Sequence, residues 1–284
     1  MNLIQWYPGH MAKAKRNIQE HLKLVDLVIE LLDARIPYSS QNPDIASITE
    51  KKPRIIVLNK ADLASPEITE EWIEYFQKQS LIAVPVDSQR GIGLNMLTKQ
   101  IKNLMKDKLE YWKKRGRKPR AFRAMVLGIP NVGKSSLINR FAKKKSAKIG
   151  DRPGITKGLQ WIKFSGDLEL LDVPGILWPK FEEEEVGYKL ALTGAIASHL
   201  FDPVEMINHL ILYLPTQQKE EILKQYDLTG KDQVDITTLL TSFGKSRGFL
   251  MQGGEVDLDK SARNFLLDFQ KGKLGRITLE QPKK

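Results

Sequence analysis

The sequence contains no cysteine, so disulfide bonds, thiolate metal sites and a thiol nucleophile are all excluded. It also lacks a long apolar run. The most apolar stretch, LVDLVIELL, carries two acidic residues and is far too short to span a bilayer. The N-terminal MNLIQWYPGHMAKAKR has no apolar core of signal-peptide length. We therefore expect a cytoplasmic protein without stable membrane association.

Positive charge is present in excess and is unevenly distributed. Residues 1–179 hold 31 Lys/Arg against 18 Asp/Glu, whereas residues 180–284 hold 14 against 16. A surplus of this size favours a polyanionic partner, and nucleic acid is the first candidate. A basic surface with no partner is the alternative. With 284 residues, 41% of them apolar, the chain can build a substantial core in one large or two ordinary domains.

Apolar patterning predicts alternating strands and helices in the first part of the chain. A basic amphipathic helix over residues 10–23 comes before the first predicted strand. The predicted strands are residues 24–34, RIIVLN, LIAVPVD, FRAMVLG, and the hairpin of LQWIKF with LELLDVPG. A helix follows RIIVLN and another lies near residues 94–112. This alternation predicts an α/β fold with a doubly wound, mostly parallel sheet.

The second part of the chain changes character. Residues 107–120, DKLEYWKKRGRKPR, read as a basic linker inside the α/β domain. From about residue 180 nearly every apolar run has helical spacing. We predict an α/β domain over residues 1–178 followed by an all-α domain over residues 179–284.

GIPNVGKSS, at residues 128–136, matches the phosphate-loop pattern G-x-x-x-x-G-K-S between a predicted strand and a predicted helix. Backbone N–H groups of such a loop face phosphates, its lysine contacts the β- and γ-phosphates, and its serine hydroxyl binds Mg²⁺. Glycines that merely form a turn are the alternative. The expected phosphate contacts are Asn131, Val132, Gly133, Lys134, Ser135 and Ser136.

Asn59-Lys60-Ala61-Asp62 ends the second predicted strand, and N-K-x-D is a guanine-binding pattern. The Asp62 carboxylate can accept from N1–H and the 2-amino group of guanine, a donor pair that adenine lacks. A buried polar group left unpaired costs enough to discriminate by about 10⁴. Asn59 can bridge the base and the phosphate loop, and the Lys60 stem can lie across the ring. A solvated turn at a strand end is the alternative.

Three further segments complete a nucleotide site. In Asp172-Val173-Pro174-Gly175 the aspartate can hold a metal through water, and the Gly175 N–H can meet the γ-phosphate. Thr156, in RPGITKG, can bind the metal with its hydroxyl, and Ser88, in VDSQRGIG, occupies the place of a base-backing loop. Taken singly, these residues could equally be turn or polar surface positions.

The motif order resembles that of the circularly permuted GTPases of the YlqF/YawG type, and the resemblance covers nearly the whole chain. The guanine motifs (G4, G5) come before the phosphate and switch motifs (G1, G2, G3). WYPGHMAKA, DARIPYSSQNP and RGFLMQGGEVDLDKSARNFLLDFQKGKLGRITLE match bacterial members that assemble the large ribosomal subunit. Cutting a fold at one loop and joining its old ends through a surface linker is tolerated.

The resemblance implies GTP/GDP and Mg²⁺ as ligands and a slow GTPase that the ribosomal particle stimulates. It implies a role in late 50S maturation, with a large-subunit precursor, rRNA and ribosomal proteins as partners. We expect a monomer. A nucleotide-gated RNA-binding or chaperone module with incidental hydrolysis is the second hypothesis. A GTPase of membranes or of tRNA modification has no support in the sequence.

Two residues take their suggested roles from the resemblance. Ile176 follows Gly175, and its hydrocarbon side chain cannot orient the attacking water; the family nominates His10 for that task. His10 could instead bind RNA or pack beside Trp6. Asn131 matches members that hold a potassium ion beside the phosphates, and an ordinary polar loop residue is the alternative.

Two functional hypotheses concern the surface and the helical domain. Because DVPG leads directly into residues 180–284, we expect GTP to reorient the helical domain against the α/β body. KKRGRKPR, flanked by Tyr111 and Trp112, suits stacking on unpaired RNA bases, although solvated charge is the alternative. The further candidate RNA contacts are Lys143, Lys144, Lys145, Lys245, Arg247, Lys271, Lys273 and Arg276.

Overall fold

A six-stranded sheet forms the centre of the first part of the chain. The computed structural model describes residues 16, 18–49, 52–116, 120–143, 160–165, 168–172, 183–228 and 235–283. Its strands are β1 (Leu27–Asp33), β2 (Arg54–Asn59), β3 (Ile82–Val86), β4 (Phe122–Gly128), β5 (Gln160–Ser165) and β6 (Leu168–Asp172). They lie in the order β3-β2-β1-β4-β6-β5. All neighbours are parallel except β5 and β6, which confirms the predicted mostly parallel sheet and its hairpin.

The strand β1 is buried at all seven positions, as expected where helices cover both faces of a parallel sheet. Its one interior acid, Glu30, pairs with Arg54 at 3.0 Å, and its Oε1 has no hydrogen-bond partner. Burial raises the pKa of Glu30 to about 7, against the opposing charge of Arg54. The centre of the sheet therefore contains a carboxyl that gains a proton near neutral pH.

The helices of the α/β unit surround this sheet. The helical bounds are α1 (Pro37–Ser40), α2 (Pro43–Thr49), α3 (Pro66–Lys78), α4 (Leu94–Leu104), α5 (Lys106–Lys114) and α6 (Lys134–Lys143). Residues 18–22, within the predicted N-terminal helix, are also helical. The sequence gives α3 a clear start, because Ser65 accepts from Ile68 N and Pro66 occupies the first turn.

The helical structure predicted near residues 94–112 is confirmed, and it extends into the predicted linker of residues 107–120. A second helix, α5, continues to Lys114 after a break at Met105. Trp112 anchors this helix: it is 7% exposed and stacks on Phe122 with 5.4 Å between ring centroids. The Arg120 guanidinium also lies over the indole, 4.9 Å from the ring centroid. Trp112 is therefore a core residue and is not available to stack on RNA bases, whereas Tyr111 is 49% exposed.

The second part of the chain is helical where the structure describes it. Its helices are α7 (Glu184–Leu192), α8 (Pro203–Tyr213), α9 (Thr216–Gln225), α10 (Ile236–Arg247) and α11 (Leu258–Gln270), with a 3₁₀ turn at Ser198–Leu200. Asp202, Asp235 and Asp257 each accept backbone N–H groups at a helix N-terminus. Phe243 and Phe265 pack edge to face at 5.2 Å in the core between α10 and α11. A domain boundary near residue 178 stays a prediction, because residues 173–182 lie outside the described part.

The segment after α11 returns to the α/β unit. Ile277 is 1% exposed, and Leu279 N donates to Arg35 O at 2.8 Å. The Trp72 indole N–H donates to Glu280 O at 3.2 Å. The two units are therefore joined by backbone hydrogen bonds as well as by side-chain packing.

None of the helices in the described ranges has the length and apolar character that crossing a membrane would need.

Candidate nucleotide-binding site

The described parts of the predicted motifs lie at one edge of the sheet, where the parallel strands end. Along this edge Leu31 pairs with Gly128, and Asn59 pairs with both Asp33 and Val86. In open α/β sheets, ligands bind in the crevice outside the carboxyl ends of the strands. The permuted order thus leaves the spatial arrangement of a nucleotide site intact.

The phosphate loop connects β4 to α6 and requires left-handed backbone at two positions. Asn131 has φ of 56° and Gly133 has φ of 102°. Lys134 begins α6 and is 8% exposed. Its Nζ donates to the carbonyls of Gly128 at 3.1 Å and Ile129 at 2.7 Å. The ammonium group is therefore held inside the loop, on the side where phosphate oxygens would lie.

Asn59 joins the guanine motif to the phosphate loop. Its side chain is 2% exposed, and its Nδ2 donates to Val132 O at 2.7 Å. A Cβ at Gly133 would collide with this same amide nitrogen, so the close approach of the two segments requires glycine. The structure brings together the predicted G4 and G1 residues and shows the contact between them.

The other side of the Asn59 amide holds the predicted base-backing residue. Asn59 Oδ1 accepts from Ser88 Oγ at 2.6 Å and from Ser88 N at 3.2 Å. Asp87 fixes the loop that carries Ser88, because Asp87 Oδ1 accepts from Gln89 N at 2.8 Å and Arg90 N at 2.9 Å. One buried amide therefore sets the positions of all three motifs.

Lys60 takes part in a buried charge network whose other members, Asp33 and Arg35, lie outside the nucleotide motifs. Its Nζ lies 3.0 Å from Asp33 Oδ2, and its φ is 59°. Asp33 also accepts from Arg35 Nη2 at 2.8 Å and Arg35 Nε at 2.9 Å. Burial alone would raise the pKa of Asp33, but the charges of Arg35 and Lys60 outweigh it and hold that pKa below its ordinary range. A D-x-R pair at the end of a buried strand was the available signal.

Asp62 lies in a tight turn whose backbone is bonded on several sides. Leu63 N donates to Lys60 O at 2.9 Å, and Ala61 N donates to Val86 O at 3.2 Å. The Asp62 side chain is half-buried at the edge of the site. Asp62 lies three residues after Asn59, and its role in selecting guanine stays a prediction.

The helical unit contacts the site through backbone carbonyls near the end of α7. Asn131 Nδ2 donates to Gly194 O at 2.9 Å, next to the end of α7. Arg35, which is 1% exposed, donates to Thr193 O at 3.3 Å and to Gln270 O at 3.5 Å. Sequence reasoning missed these contacts, since no local pattern reports a side chain bound to a carbonyl far along the chain.

Two of the three predicted magnesium ligands, Ser135 and Asp172, belong to residues whose backbone the structure describes. Ser135 is exposed in the first turn of α6, and the Asp172 backbone pairs with Val126 in the adjacent strand. A hydroxyl and a carboxylate suit a hard divalent cation such as Mg²⁺. Asn131 donates through Nδ2 to Gly194 O, and its role as a potassium ligand stays a prediction.

Three predicted site residues, His10, Thr156 and Gly175, lie outside the described residues, so their roles stay predictions. The candidate RNA contacts Lys144 and Lys145 also lie outside. In the helical unit, Lys245 and Lys271 are exposed.

Three other candidate RNA contacts form intramolecular bonds. Arg247 and Lys273 each lie 2.8 Å from Asp268. Arg276 donates to Ala61 O and Ala64 O, both at 2.8 Å. Arg276 is thus a partner of the guanine motif in this structure; it is also exposed, so its role as an RNA contact stays a prediction.

The chain is similar to GTPases of known families. Residues 123–240 match the model of the 50S ribosome-binding GTPase family. Ribosome biogenesis GTPase A of Priestia megaterium is 49% identical over 280 residues, covering 98% of this chain and 97% of that protein. The protein of the same name from Thermotoga maritima is 32% identical over 279 residues, covering 98% and 95%.

The similarity extends to a mitochondrial protein and to solved structures. Mitochondrial ribosome-associated GTPase 1 of Mus musculus is 32% identical, covering 99% of this chain and 91% of that protein. The GNP-bound crystal structure of YlqF from T. maritima has a TM-score of 0.67 at 27% identity, covering 96% of this chain and 99% of that one. Its GDP-bound structure has a TM-score of 0.66 at 25% identity, covering 95% and 100%.

Proposed function

Because the chain belongs to the ribosome biogenesis GTPase A family of circularly permuted GTPases, we propose that it hydrolyses GTP in late assembly of the 50S ribosomal subunit. Its nucleotide state would control binding to the pre-ribosomal particle and release from it. The similarity of residues 123–240 to the 50S ribosome-binding GTPases supports the large subunit as the partner. We place this activity in the cytoplasm.

The observation that carries the proposal is the bridge made by Asn59. Its amide bonds Val132 in the phosphate loop and Ser88 in the base-backing loop, at distances of 2.6–3.2 Å. A purine would have to contact all three segments at once, so an element that fixes their spacing prepares the site for a nucleotide. Asp62 would then select guanine over adenine by about 10⁴ through paired acceptance from N1–H and the 2-amino group.

We assign the phosphate and magnesium contacts of the hydrolytic site to the following residues. Lys134 moves its ammonium from two loop carbonyls to the β- and γ-phosphates, and the backbone of Asn131 to Ser136 donates to phosphate oxygens. Ser135, Thr156 and Asp172 would hold Mg²⁺, which neutralises phosphate charge when bound. The Gly175 N–H would contact the γ-phosphate.

Water activation would fall to His10, the residue that the family resemblance nominates, since Ile176 beside Gly175 has no hydrogen-bonding side chain. His10→Ala should abolish stimulated hydrolysis in single-turnover assays with large subunits while leaving GDP affinity unchanged. His10→Gln, which keeps a hydrogen-bonding group, is the matched comparison. Full stimulation of the alanine variant would remove histidine from the hydrolytic step.

Coupling to the particle would operate through the contacts that the helical unit makes at the site. Asn131 reaches Gly194 O, and Arg35 reaches Thr193 O. The γ-phosphate segment DVPG leads into the same unit along the chain. GTP and GDP would therefore favour different orientations of the helical unit. Equal interdomain distances with GDP and a non-hydrolysable GTP analogue would contradict this gating.

The central experiment is co-sedimentation with purified large subunits and their precursors, using GDP, a non-hydrolysable GTP analogue or ATP. We expect retention with the GTP analogue and release with GDP. Binding should fall steeply as salt rises if Lys and Arg contact the rRNA backbone. Calorimetry that finds ATP bound as tightly as GTP would overturn the guanine assignment. Nucleotide-dependent retention without stimulated turnover would instead indicate an RNA-binding or chaperone module with incidental hydrolysis.

A further inference from the structure

The segment 276–280, which we call the strap, bonds to the turn that carries Asp62. Arg276 uses two nitrogens of its guanidinium group here: Nη2 donates to Ala61 O at 2.8 Å, and Nε donates to Ala64 O at 2.8 Å. These carbonyls lie on either side of Asp62 and Leu63. Hydrogen bonds from a charged donor are about twice as strong as neutral ones. One side chain from beyond the helical unit therefore spans the guanine turn.

The strap backbone and its threonine continue this contact. Ile277 N donates to Leu63 O at 2.9 Å, and Ser65 N donates to Thr278 Oγ1 at 3.0 Å. Ile277 and Thr278 are 1% and 2% exposed, so these bonds are shielded from water. Together with Arg276, the strap bonds the backbone of residues 61, 63, 64 and 65. The turn cannot shift without breaking several of these bonds.

The strap is fixed at its other end and at its entry. Glu280 accepts from Tyr38 N at 2.8 Å and also bonds the Ser39 hydroxyl, while Lys189 of α7 lies 3.6 Å from its carboxylate. At the entry, Gly272 has φ of 73°, and a Cβ there would lie 2.7 Å from Leu63 Cδ2. The chain leaving α11 thus packs directly on the guanine turn.

We propose that the strap positions Asp62 for guanine, with Arg276 as the main positioning residue. Base selectivity then depends on whether the helical unit and its strap are packed against the α/β unit. The inference rests on the proposed role of Asp62 as the guanine acceptor. Arg276 contacts backbone carbonyls of the turn and acts on the base through Asp62. By linkage, guanine that binds the positioned carboxylate also stabilises the seated strap.

Inosine diphosphate is the probe for this positioning, because inosine keeps N1–H but lacks the 2-amino group. The preference for GDP over IDP therefore reports one contact of the Asp62 carboxylate. A hydrogen bond to a charged group corresponds to roughly tenfold or more in Kd. The preference is expressed as the Kd for IDP divided by the Kd for GDP. We expect this ratio to be at least tenfold in the full-length protein and to fall about tenfold in Arg276→Ala.

Three variants separate positioning from general stability. Arg276→Lys keeps the charge but cannot span both carbonyls, so its ratio should lie between those of the parent and Arg276→Ala. Arg247→Ala is the matched control, since Arg247 pairs with Asp268 inside the helical unit. Its ratio of the IDP Kd to the GDP Kd should equal that of the parent protein. Thr278→Val removes the acceptor for Ser65 N and should also lower the ratio.

The outcomes are distinct. An unchanged ratio in Arg276→Ala, or an equal rise of both Kd values, would overturn the proposal because the base edge would then be read without the strap. If Arg276→Ala does not fold, unchanged ratios in Arg276→Lys and Thr278→Val would overturn it in the same way. A parent protein that binds GDP and IDP equally would instead contradict the role of Asp62 and hence the proposed guanine recognition itself.

Discussion

Replacement of Asn59 by alanine should weaken both the fold and the nucleotide site. The side chain is 2% exposed and makes three hydrogen bonds, at 2.6, 2.7 and 3.2 Å. Its removal deprives Val132 O, Ser88 N and Ser88 Oγ of their partner. An unsatisfied buried group costs about 1–3 kcal/mol, and the serine hydroxyl can rotate to another acceptor. Counting only the two backbone groups, we expect the free energy of unfolding to fall by about 3 kcal/mol.

The same change should reduce GDP affinity. Without the Asn59 amide, a bound nucleotide must itself hold the phosphate loop and the base-backing loop in place. The free-energy cost of ordering the two loops then weakens binding. About 3 kcal/mol corresponds to a rise of about a hundredfold in Kd. Guanidinium unfolding followed by tryptophan fluorescence measures the first quantity, and titration with a fluorescent GDP analogue measures the second.

Two variants set the scale for Asn59→Ala. Ser88→Ala removes one bond and leaves Asn59 Oδ1 bonded to Ser88 N, so we expect a loss of only about 1 kcal/mol. Asn103→Ala changes an exposed asparagine in α4 and should be nearly neutral. If Asn59→Ala costs no more than Ser88→Ala in either assay, Asn59 does not join the three segments and the reasoning is refuted.

Three other changes test neighbouring features. Gly133→Ala places a Cβ against Asn59 at a φ of 102° and should weaken GDP binding at least tenfold by calorimetry; unchanged affinity would show that the two segments can separate at little cost. Arg35→Lys loses the paired bonds to Asp33 and should lower the unfolding free energy by about 3 kcal/mol, with an unaltered denaturation midpoint as the contrary result. The folded-state pKa of Glu30, about 7, exceeds its ordinary 4.5, so its protonation stabilises the fold at low pH and this stabilisation is lost as pH rises from about 4.5 through 7. As the pH rises from 4.5 to 8, the unfolding free energy of Glu30→Gln should therefore increase by about 3 kcal/mol relative to that of the parent, as measured by guanidinium unfolding. A difference between the two proteins that does not change with pH would contradict the raised pKa.

The sheet and its nucleotide edge could be predicted because their signals are local. Continuous apolar runs such as that of β1 report burial on both faces, and GKS and NKAD report backbone geometry and donor chemistry within a few residues. The motif residues Asn59, Ser88 and Lys134 are found together as expected.

The predicted linker begins too early, because the basic composition of residues 107–114 is that of a loop as much as of a helix. Residues 106–114 are helical because the Trp112 side chain packs on Phe122, a contact that overrides the high charge of the segment. Helix propensity of Lys and Glu is good, so charge density alone is a poor guide to loops.

The interdomain contacts could not be predicted from sequence. Arg276 has the appearance of a surface cation, and nothing near it in the sequence indicates that its acceptors are the carbonyls of Ala61 and Ala64. Likewise, the pairing of Arg35 with Asp33 could be suggested from their spacing, but the contact with Thr193 depends on how α7 lies on the sheet. Such pairs become visible only when residues far apart in the chain are placed in space.

The position of the strap has a consequence for biosynthesis. NKAD leaves the translating ribosome long before residues 276–280 do, so during elongation the carbonyls of Ala61 and Ala64 face solvent. A nascent chain that ends before the strap therefore lacks these bonds to the turn that carries Asp62. If the strap positions Asp62 as proposed, guanine selectivity is acquired only at the end of translation, after the rest of the site has been synthesised.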